Sequence, residues 1–322
     1  MTPSLPIMHR AALADSLCEV AAGLLTPLDE QNTDDIRYDE LASTAEWLHT
    51  NGINLFLACA NISEYHSLTN TEHVESVRVV CDALGDDATV LGGAGGSTKS
   101  AIDLAQAHVD NGADGIMVMP PDHTFKHESG VVKYYHRIAD AVDVGVVPYI
   151  RGMEATVRML DRISDHENVT GIKWAVPDLE LFAECVEQAD DDLVWVCGMA
   201  EPPAPAYYLE GADGFSAGVT NFEPRLGLEL FDALEAGNYE RAKRLRNLSQ
   251  PLMNLRAESG EDNVYASANS VPVLKRCLEL AGRDPGPVRE PLVELPEADR
   301  ERVDDRYEEL QAGLERLDAV EP

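Results

Sequence analysis

Residues Ala88–Met119 read ATVLGGAGGSTKSAIDLAQAHVDNGADGIMVM. A short β-rich run, Ala88–Gly93, leads into Thr98–Asn111, where Ile102, Ala105 and Val109 recur at helical spacing and Thr98 is placed to cap the helix. The helix runs out at Asn111-Gly112-Ala113-Asp114, and a second apolar run, Gly115–Met119, follows at once. Glycine at such a junction takes the left-handed helix-ending conformation without a Cβ clash. Both apolar runs are too short for buried helices, and their continuous apolar character suits parallel strands covered on both faces. The stretch therefore reads as one strand–helix–strand unit. Its segment GGAGGSTK (Gly92–Lys99) superficially looks like a phosphate loop, but Ser97 stands where the order GxxxxGK[ST] needs glycine. A tight strand-to-helix turn is the better reading.

The same junction recurs at Asn51-Gly52-Ile53-Asn54 and at Glu210-Gly211-Ala212-Asp213. Working outward, strand-like runs appear at Cys18–Leu25, Ile53–Ala60, Val144–Tyr149, Val169–Ala175, Leu193–Gly198 and Asp213–Gly218, which with the first two makes eight. Tyr38–Asn51 places Leu41, Ala45 and Leu48 on one helical face. Eight such units within about 220 residues predict an α/β fold, a closed (β/α)8 TIM barrel over residues 17–236. A doubly wound open sheet is the runner-up. After Pro224 the character changes. Asn238–Ser249, Val264–Ala281 and Ala298–Leu317 read as helices separated by punctuation such as Asp284-Pro285-Gly286-Pro287. They predict a C-terminal helical extension, residues 237–322, whose charge-rich end from Pro291 reads as a solvated helix.

The chain of 322 residues carries 58 Asp+Glu against 25 Lys+Arg, a net charge of −33. That excludes nucleic-acid phosphate as a general partner and disfavours an anionic membrane surface. A hydrophobic content of 44% supports a large core. No apolar run reaches the roughly 18 residues of a membrane span. The start, MTPSLPIMHRAALADS, lacks a basic end followed by an apolar stretch, so no signal peptide is expected and the protein reads as cytoplasmic. Six cysteines without a CxxC pair read as reduced core thiols. Lysine occurs only at 99, 126, 133, 173, 243 and 275, so arginine supplies most of the positive charge. High acid with little lysine predicts a halophilic chain, kept soluble where salt screens self-repulsion.

Lys173 is the lysine set inside an apolar strand, Val169-Thr-Gly-Ile-Lys-Trp-Ala-Val176. A desolvated lysine has a lowered pKa and an amine free to attack a carbonyl. The alternative is a structural lysine paired with a carboxylate near the barrel mouth. Tyr149 ends the preceding strand, where a phenol can point into the mouth, and Arg151 follows, able to hold a carboxylate or hydroxyl. A core tyrosine with a rim arginine accounts for these two equally well. His123 and His127, flanked by Asp122 and Glu128, lie in a loop rather than on a helix, so no metal is expected there.

Gly171-Ile-Lys173 after Val147-Pro-Tyr149 resembles the dihydrodipicolinate synthase/N-acetylneuraminate lyase superfamily, whose barrels form a Schiff base with their substrate. Leu25-Thr26-Pro27, Gly92-Gly-Ala-Gly95 with Ala101-Ile102, and Gly112-Ala-Asp-Gly115 with Pro120-Pro121 extend the resemblance. Ala204-Pro-Ala-Tyr207, Asn221-Phe-Glu-Pro224 and Gly282–Leu292 resemble its 5-dehydro-4-deoxyglucarate dehydratase branch, and together these stretches span roughly residues 20–295. The resemblance implies that Lys173 forms an imine with a 2-oxo acid, with no other cofactor, and that Tyr149 moves protons beside it. It places Gly198 and Phe215 along the substrate, and the loop Ala60-Asn61-Ile62-Ser63-Glu64 where the family has a Gly-Thr-Thr-Gly-Glu-like carboxylate cradle. Here Asn61 and Ile62 replace the threonines, and Asp122-His123 stand where a tyrosine is usual. The usual Tyr/Thr proton relay is therefore altered, which argues against lysine biosynthesis; Asn61 or His123 is the candidate replacement. The resemblance implies a homo-oligomer, a dimer or tetramer, and a lyase acting on a 2-oxo-deoxy sugar acid. Dehydration with decarboxylation is the leading expectation. A class I aldolase releasing pyruvate and a non-catalytic 2-oxo acid binding barrel are the alternatives, with a metal-dependent lyase behind them.

Overall fold

In a computed structural model, which describes residues 6–320, the eight apolar runs form eight parallel strands: β1 (Val20–Gly23), β2 (Leu55–Ala58), β3 (Thr89–Ala94), β4 (Gly115–Val118), β5 (Gly145–Ile150), β6 (Gly171–Trp174), β7 (Val194–Cys197) and β8 (Gly214–Ser216). Each pairs with the next, and β8 closes on β1 through Val20↔Phe215 and Ala21↔Ser216. The fold is a TIM barrel. Gly52, Gly112 and Gly211 take positive φ of 96°, 93° and 101° at the three helix-ending junctions.

Twelve helices of the described residues surround and close it: α1 (Pro6–Leu17), α2 (Tyr38–Thr50), α3 (Asn70–Leu84), α4 (Thr98–Asp110), α5 (Glu128–Ala139), α6 (Val157–Ser164), α7 (Leu179–Gln188), α8 (Ala204–Leu209), α9 (Pro224–Glu235), α10 (Tyr239–Ala257), α11 (Ser270–Leu280) and α12 (Glu297–Val320). Residues 1–5 and 321–322 lie outside the description, and with them part of the segment read for a signal peptide and the end of the C-terminal extension.

Side chains along the strands alternate between two buried faces. Met117, Val147, Tyr149, Lys173 and Val196 fill the barrel, while Ile116, Val146, Ile172, Trp174, Trp195 and Phe215 pack against the helices. The bottom is plugged by α1, which periodicity does not reveal. A Cβ on Gly115 or Gly145 would lie 2.7 or 2.5 Å from Leu13 Cδ2, and one on Gly171 would lie 3.1 Å from Leu17 Cδ1. Three successive strands begin with glycine where this helix and the neighbouring residues Leu91, Thr170 and Val194 together leave no space for a Cβ.

Some boundaries differ from the sequence reading. Ser97, not Thr98, caps α4, its hydroxyl accepting from the Ser100 N–H at 3.2 Å. The change of character at Pro224 is the start of α9, with proline in the first turn where its missing N–H costs nothing. α11 begins at Ser270 rather than Val264, because Ser267 adopts a positive φ of 60° that a helix cannot continue through. The end of the chain is amphipathic rather than fully solvated: α12 buries Val303, Leu310 and Leu314. The C-terminal helices fold over the barrel mouth, and α10 and α11 supply part of the cavity wall there.

Candidate active site

Strand pairing brings Tyr149 and Lys173 side by side, Tyr149 on β5 in register with Lys173 on β6. Both are buried, at 2% and 5% exposure, and the Lys173 ammonium lies 3.8 Å from the centroid of the Tyr149 ring. Burial lowers the pKa of Lys173; the neighbouring Tyr149 opposes this and Arg151 reinforces it, and the net shift is downward. For Tyr149, burial alone would raise the pKa, but Lys173, Arg151 and a contact from the Asn61 side chain outweigh it, so the phenol sits below its ordinary value. An amine and a phenol, each with its pKa lowered from the ordinary value, thus lie side by side in one buried pocket. Arg151 stands at the rim with Nη1 3.4 Å from the Tyr149 hydroxyl.

These groups open into a cavity of about 720 Å³ at the C-terminal ends of the strands, where TIM barrels carry their chemistry. Gly198, just past β7, lies on its wall; a Cβ there would come within 3.2 Å of Lys173 Cγ, so glycine leaves room for the lysine stem.

The loop after β2 holds two 3-10 turns, Asn61–Ser63 and Tyr65–Ser67, with Glu64 between them in the left-handed region at φ 57°. Asn61 and Ile62 face the cavity. Ser63, expected along the substrate, is instead turned away. Its buried hydroxyl donates to the Leu24 carbonyl and accepts the Ala60 N–H at 2.9 Å, stapling the loop to the end of β1. Thr26 adds a bond to the Ser63 carbonyl at 2.6 Å. Glu64 anchors the other side. Its carboxylate meets the Lys275 ammonium at 2.7 Å and accepts the Arg289 N–H at 2.8 Å, both from the C-terminal segment. Lys275 also donates to the Pro287 carbonyl. A second lysine of the six is therefore buried, and it is structural.

Two other expected residues do not reach the cavity. Phe215 points out of the barrel toward Phe231 of α9, with ring centroids 6.3 Å apart, because strand alternation puts it on the same side as its register partner Cys197. Ser216, one residue on, takes the inward place. His123 is exposed in the loop before α5, and its Nδ1 accepts the Phe125 N–H at 3.0 Å. Among the described residues no group of three or more His, Cys, Asp or Glu side chains could hold a metal ion. No described helix is long and apolar enough to cross a membrane.

The structure adds groups that local sequence did not mark. Tyr65, buried and following Glu64, lines the cavity. Arg256, from the last turn of α10, faces it over Gly218. Glu201 lies fully buried beside Gly218 and Thr220: its Oε1 accepts the Gly218 N–H at 2.9 Å, the Thr220 N–H at 3.0 Å and the Thr220 hydroxyl at 3.0 Å. An acid three residues past an apolar strand end was a readable signal; Arg256, more than eighty residues from Lys173, was not.

The sequence profile of the dihydrodipicolinate synthetase family matches residues 16–310. The chain is 30% identical over 290 residues to a 4-hydroxy-tetrahydrodipicolinate synthase of Methanospirillum hungatei, covering 88% of this chain and 96% of that one. It is 29% identical over 300 residues to a 5-dehydro-4-deoxyglucarate dehydratase of Pseudomonas putida, covering 91% and 97%. The crystal structure of dihydrodipicolinate synthase from Oceanobacillus iheyensis superposes with a TM-score of 0.89 at 27% identity, over 94% of this chain and 99% of that one. The profile match takes in every strand of the barrel and the paired Tyr149 and Lys173: this chain belongs to the dihydrodipicolinate synthetase family.

Proposed function

We propose that this chain is a Schiff-base-forming lyase that dehydrates and decarboxylates a 2-oxo-deoxy sugar acid of the 5-dehydro-4-deoxyglucarate type. The observation that carries the reading is the buried Lys173–Tyr149 pair at the mouth of the barrel, 3.8 Å from ammonium to ring centroid. Members of this superfamily are lyases, and the P. putida relative is named as this dehydratase.

The Lys173 amine adds to the ketone at C2 (counting from the carboxylate next to it), and loss of water gives an iminium that acts as an electron sink. A proton leaves C3 with Tyr149 as the acid–base group, and the enamine expels the C4 hydroxyl. Loss of the far carboxylate as carbon dioxide pushes electrons back through the conjugated iminium. Reprotonation and hydrolysis then free Lys173 and release 2,5-dioxopentanoate. The Asn61–Ile62 loop holds the near carboxylate through its backbone amides, since Ile62 has no side-chain donor. The Asn61 side chain, in contact with Tyr149, replaces the family's hydroxyl partner in proton transfer.

The same enamine can break the C3–C4 bond instead and release pyruvate. Incubation with a panel of 2-oxo-3-deoxy acids separates the routes. The proposed reading expects a dioxo acid and carbon dioxide; pyruvate with an aldehyde overturns it in favour of the aldolase. Ligand-induced stabilisation without turnover of any substrate would favour a non-catalytic barrel. The remaining readings are a cytoplasmic, salt-adapted homo-oligomer, in which a barrel domain of residues 17–236 carries the catalytic pair and the extension of residues 237–322 roofs it. They rest on the composition and the family's habit.

A further inference from the structure

Arg256 reaches the cavity from α10, and its guanidinium is fixed by three contacts. Nε donates to the Ser270 carbonyl at 3.4 Å, Nη2 to the Ser270 hydroxyl at 3.0 Å, and Nη1 lies 3.3 Å from Met253 Sδ. A guanidinium has five N–H donors. One remains on each Nη, and among the described residues no further partner of Arg256 is found. Two parallel N–H groups of this kind form the fork that takes a carboxylate bidentately. A Cβ at residue 218 would fall 2.5 Å from Arg256 Nη1, so glycine at 218 leaves the space that the guanidinium occupies.

Beside Gly218 lies Glu201, at 0% exposure, with one oxygen held by three donors and the other without a hydrogen-bond partner among the described residues. Its charge opposes the loss of the Arg256 proton that burial favours. Arg151 adds a second guanidinium at the rim of the same cavity. In a chain of net charge −33, the guanidinium groups of Arg151 and Arg256 put positive charge on one cavity wall, while Glu64, which also lines it, is paired with Lys275.

The near carboxylate and the ketone of a 2-oxo acid are accounted for by the Asn61–Ile62 loop and Lys173. Arg256 has no task in binding pyruvate alone. We infer that Arg256, positioned by Ser270 and Met253, binds a second carboxylate at the far end of the substrate, so that the cavity selects 2-oxo dicarboxylic acids over their monocarboxylic counterparts. This deepens the lyase reading and rests on it for the orientation of the substrate. The carboxylate held there is the one lost as carbon dioxide, so the contact serves recognition and orientation rather than the bond-breaking step.

2-Oxoadipate and 2-oxohexanoate have the same chain length and differ in the far carboxylate, and neither carries a hydroxyl to expel. Their affinities are measured calorimetrically for the full chain, for Arg256→Gln and for Arg256→Lys, each checked for an unchanged melting temperature. Binding at least about tenfold tighter for 2-oxoadipate is expected of the wild-type chain, since only its far carboxylate can make charge-assisted bonds to the guanidinium. Arg256→Gln is expected to bring 2-oxoadipate down to the level of 2-oxohexanoate, with Arg256→Lys in between. Equal affinities in the wild-type chain, or equal weakening of both acids by Arg256→Gln, overturns the inference. Tighter binding of a 2-oxo acid ending in a phosphate overturns its carboxylate form. Borohydride trapping with pyruvate, done in parallel, reports on Lys173 alone: lost trapping with a retained tenfold preference sinks the lyase reading and leaves the anion site standing.

Discussion

At the residue scale, the chemistry depends on charges that tune one another. Arg151 lowers the pKa of both Lys173 and Tyr149. Arg151→Gln should therefore raise both. Imine formation needs the neutral amine, so the acid limb of the pH–rate profile should move upward by about half to one pH unit at low salt. A profile that stays in place or moves down contradicts this electrostatic account. Apolar context made Lys173 conspicuous, since a lysine in a buried strand is unusual, whereas Tyr149 fitted a core tyrosine equally well and its role rested on the resemblance. Side-chain direction was less legible. Phe215 was one residue out of phase with the inward-facing positions, and without the register to β7 nothing in the sequence distinguishes it from Ser216. His123 lies in an exposed loop outside the cavity lining, and the course of such a loop carries no periodic signal in the sequence.

Among the elements, the strands were the most legible. Continuous apolar runs bounded by glycine are what parallel strands covered on both faces require. The helix α1 and the roofing role of α10 and α11 were not legible, since their apolar faces are matched to surfaces built by distant segments. The contact of the roof with the loop after β2 is specific. Lys275 and Glu64 form a buried ion pair, at 4% and 0% side-chain exposure. Lys275→Met leaves the Glu64 charge without its partner and should cost about 3–5 kcal/mol in denaturant unfolding. Because Glu64 also fixes the turn that holds Asn61, binding of a 2-oxo acid should weaken in the same variant. A loss below about 1 kcal/mol would show that the pair does not join roof to loop.

For the whole molecule, net charge and buried histidines set the conditions under which it stands. The charge of −33 repels itself, so stability should fall on dilution from molar to low salt, and a salt-independent melting temperature would contradict this. Burial holds His108 neutral with its pKa lowered to about 4, and burial with the neighbouring His108 does the same to His73. Both values lie below the ordinary 6.5, so the unfolded chain takes up these protons first. Stability is then full above about pH 6.5 and falls as the pH drops toward 4, by about 2 kcal/mol per histidine between pH 7 and pH 5. His108→Gln, in which the amide can keep the bond to the Gly93 carbonyl, should flatten that slope by about half. An unchanged slope would locate the acid sensitivity elsewhere.

The central claim is that Lys173 forms the imine. Reduction with borohydride in the presence of pyruvate, followed by peptide mass spectrometry, tests it most directly. The account predicts the mass of a reduced pyruvyl adduct on the peptide containing Lys173, and none in Lys173→Ala. The absence of an adduct in the wild-type chain, together with undiminished activity of Lys173→Ala, would contradict it.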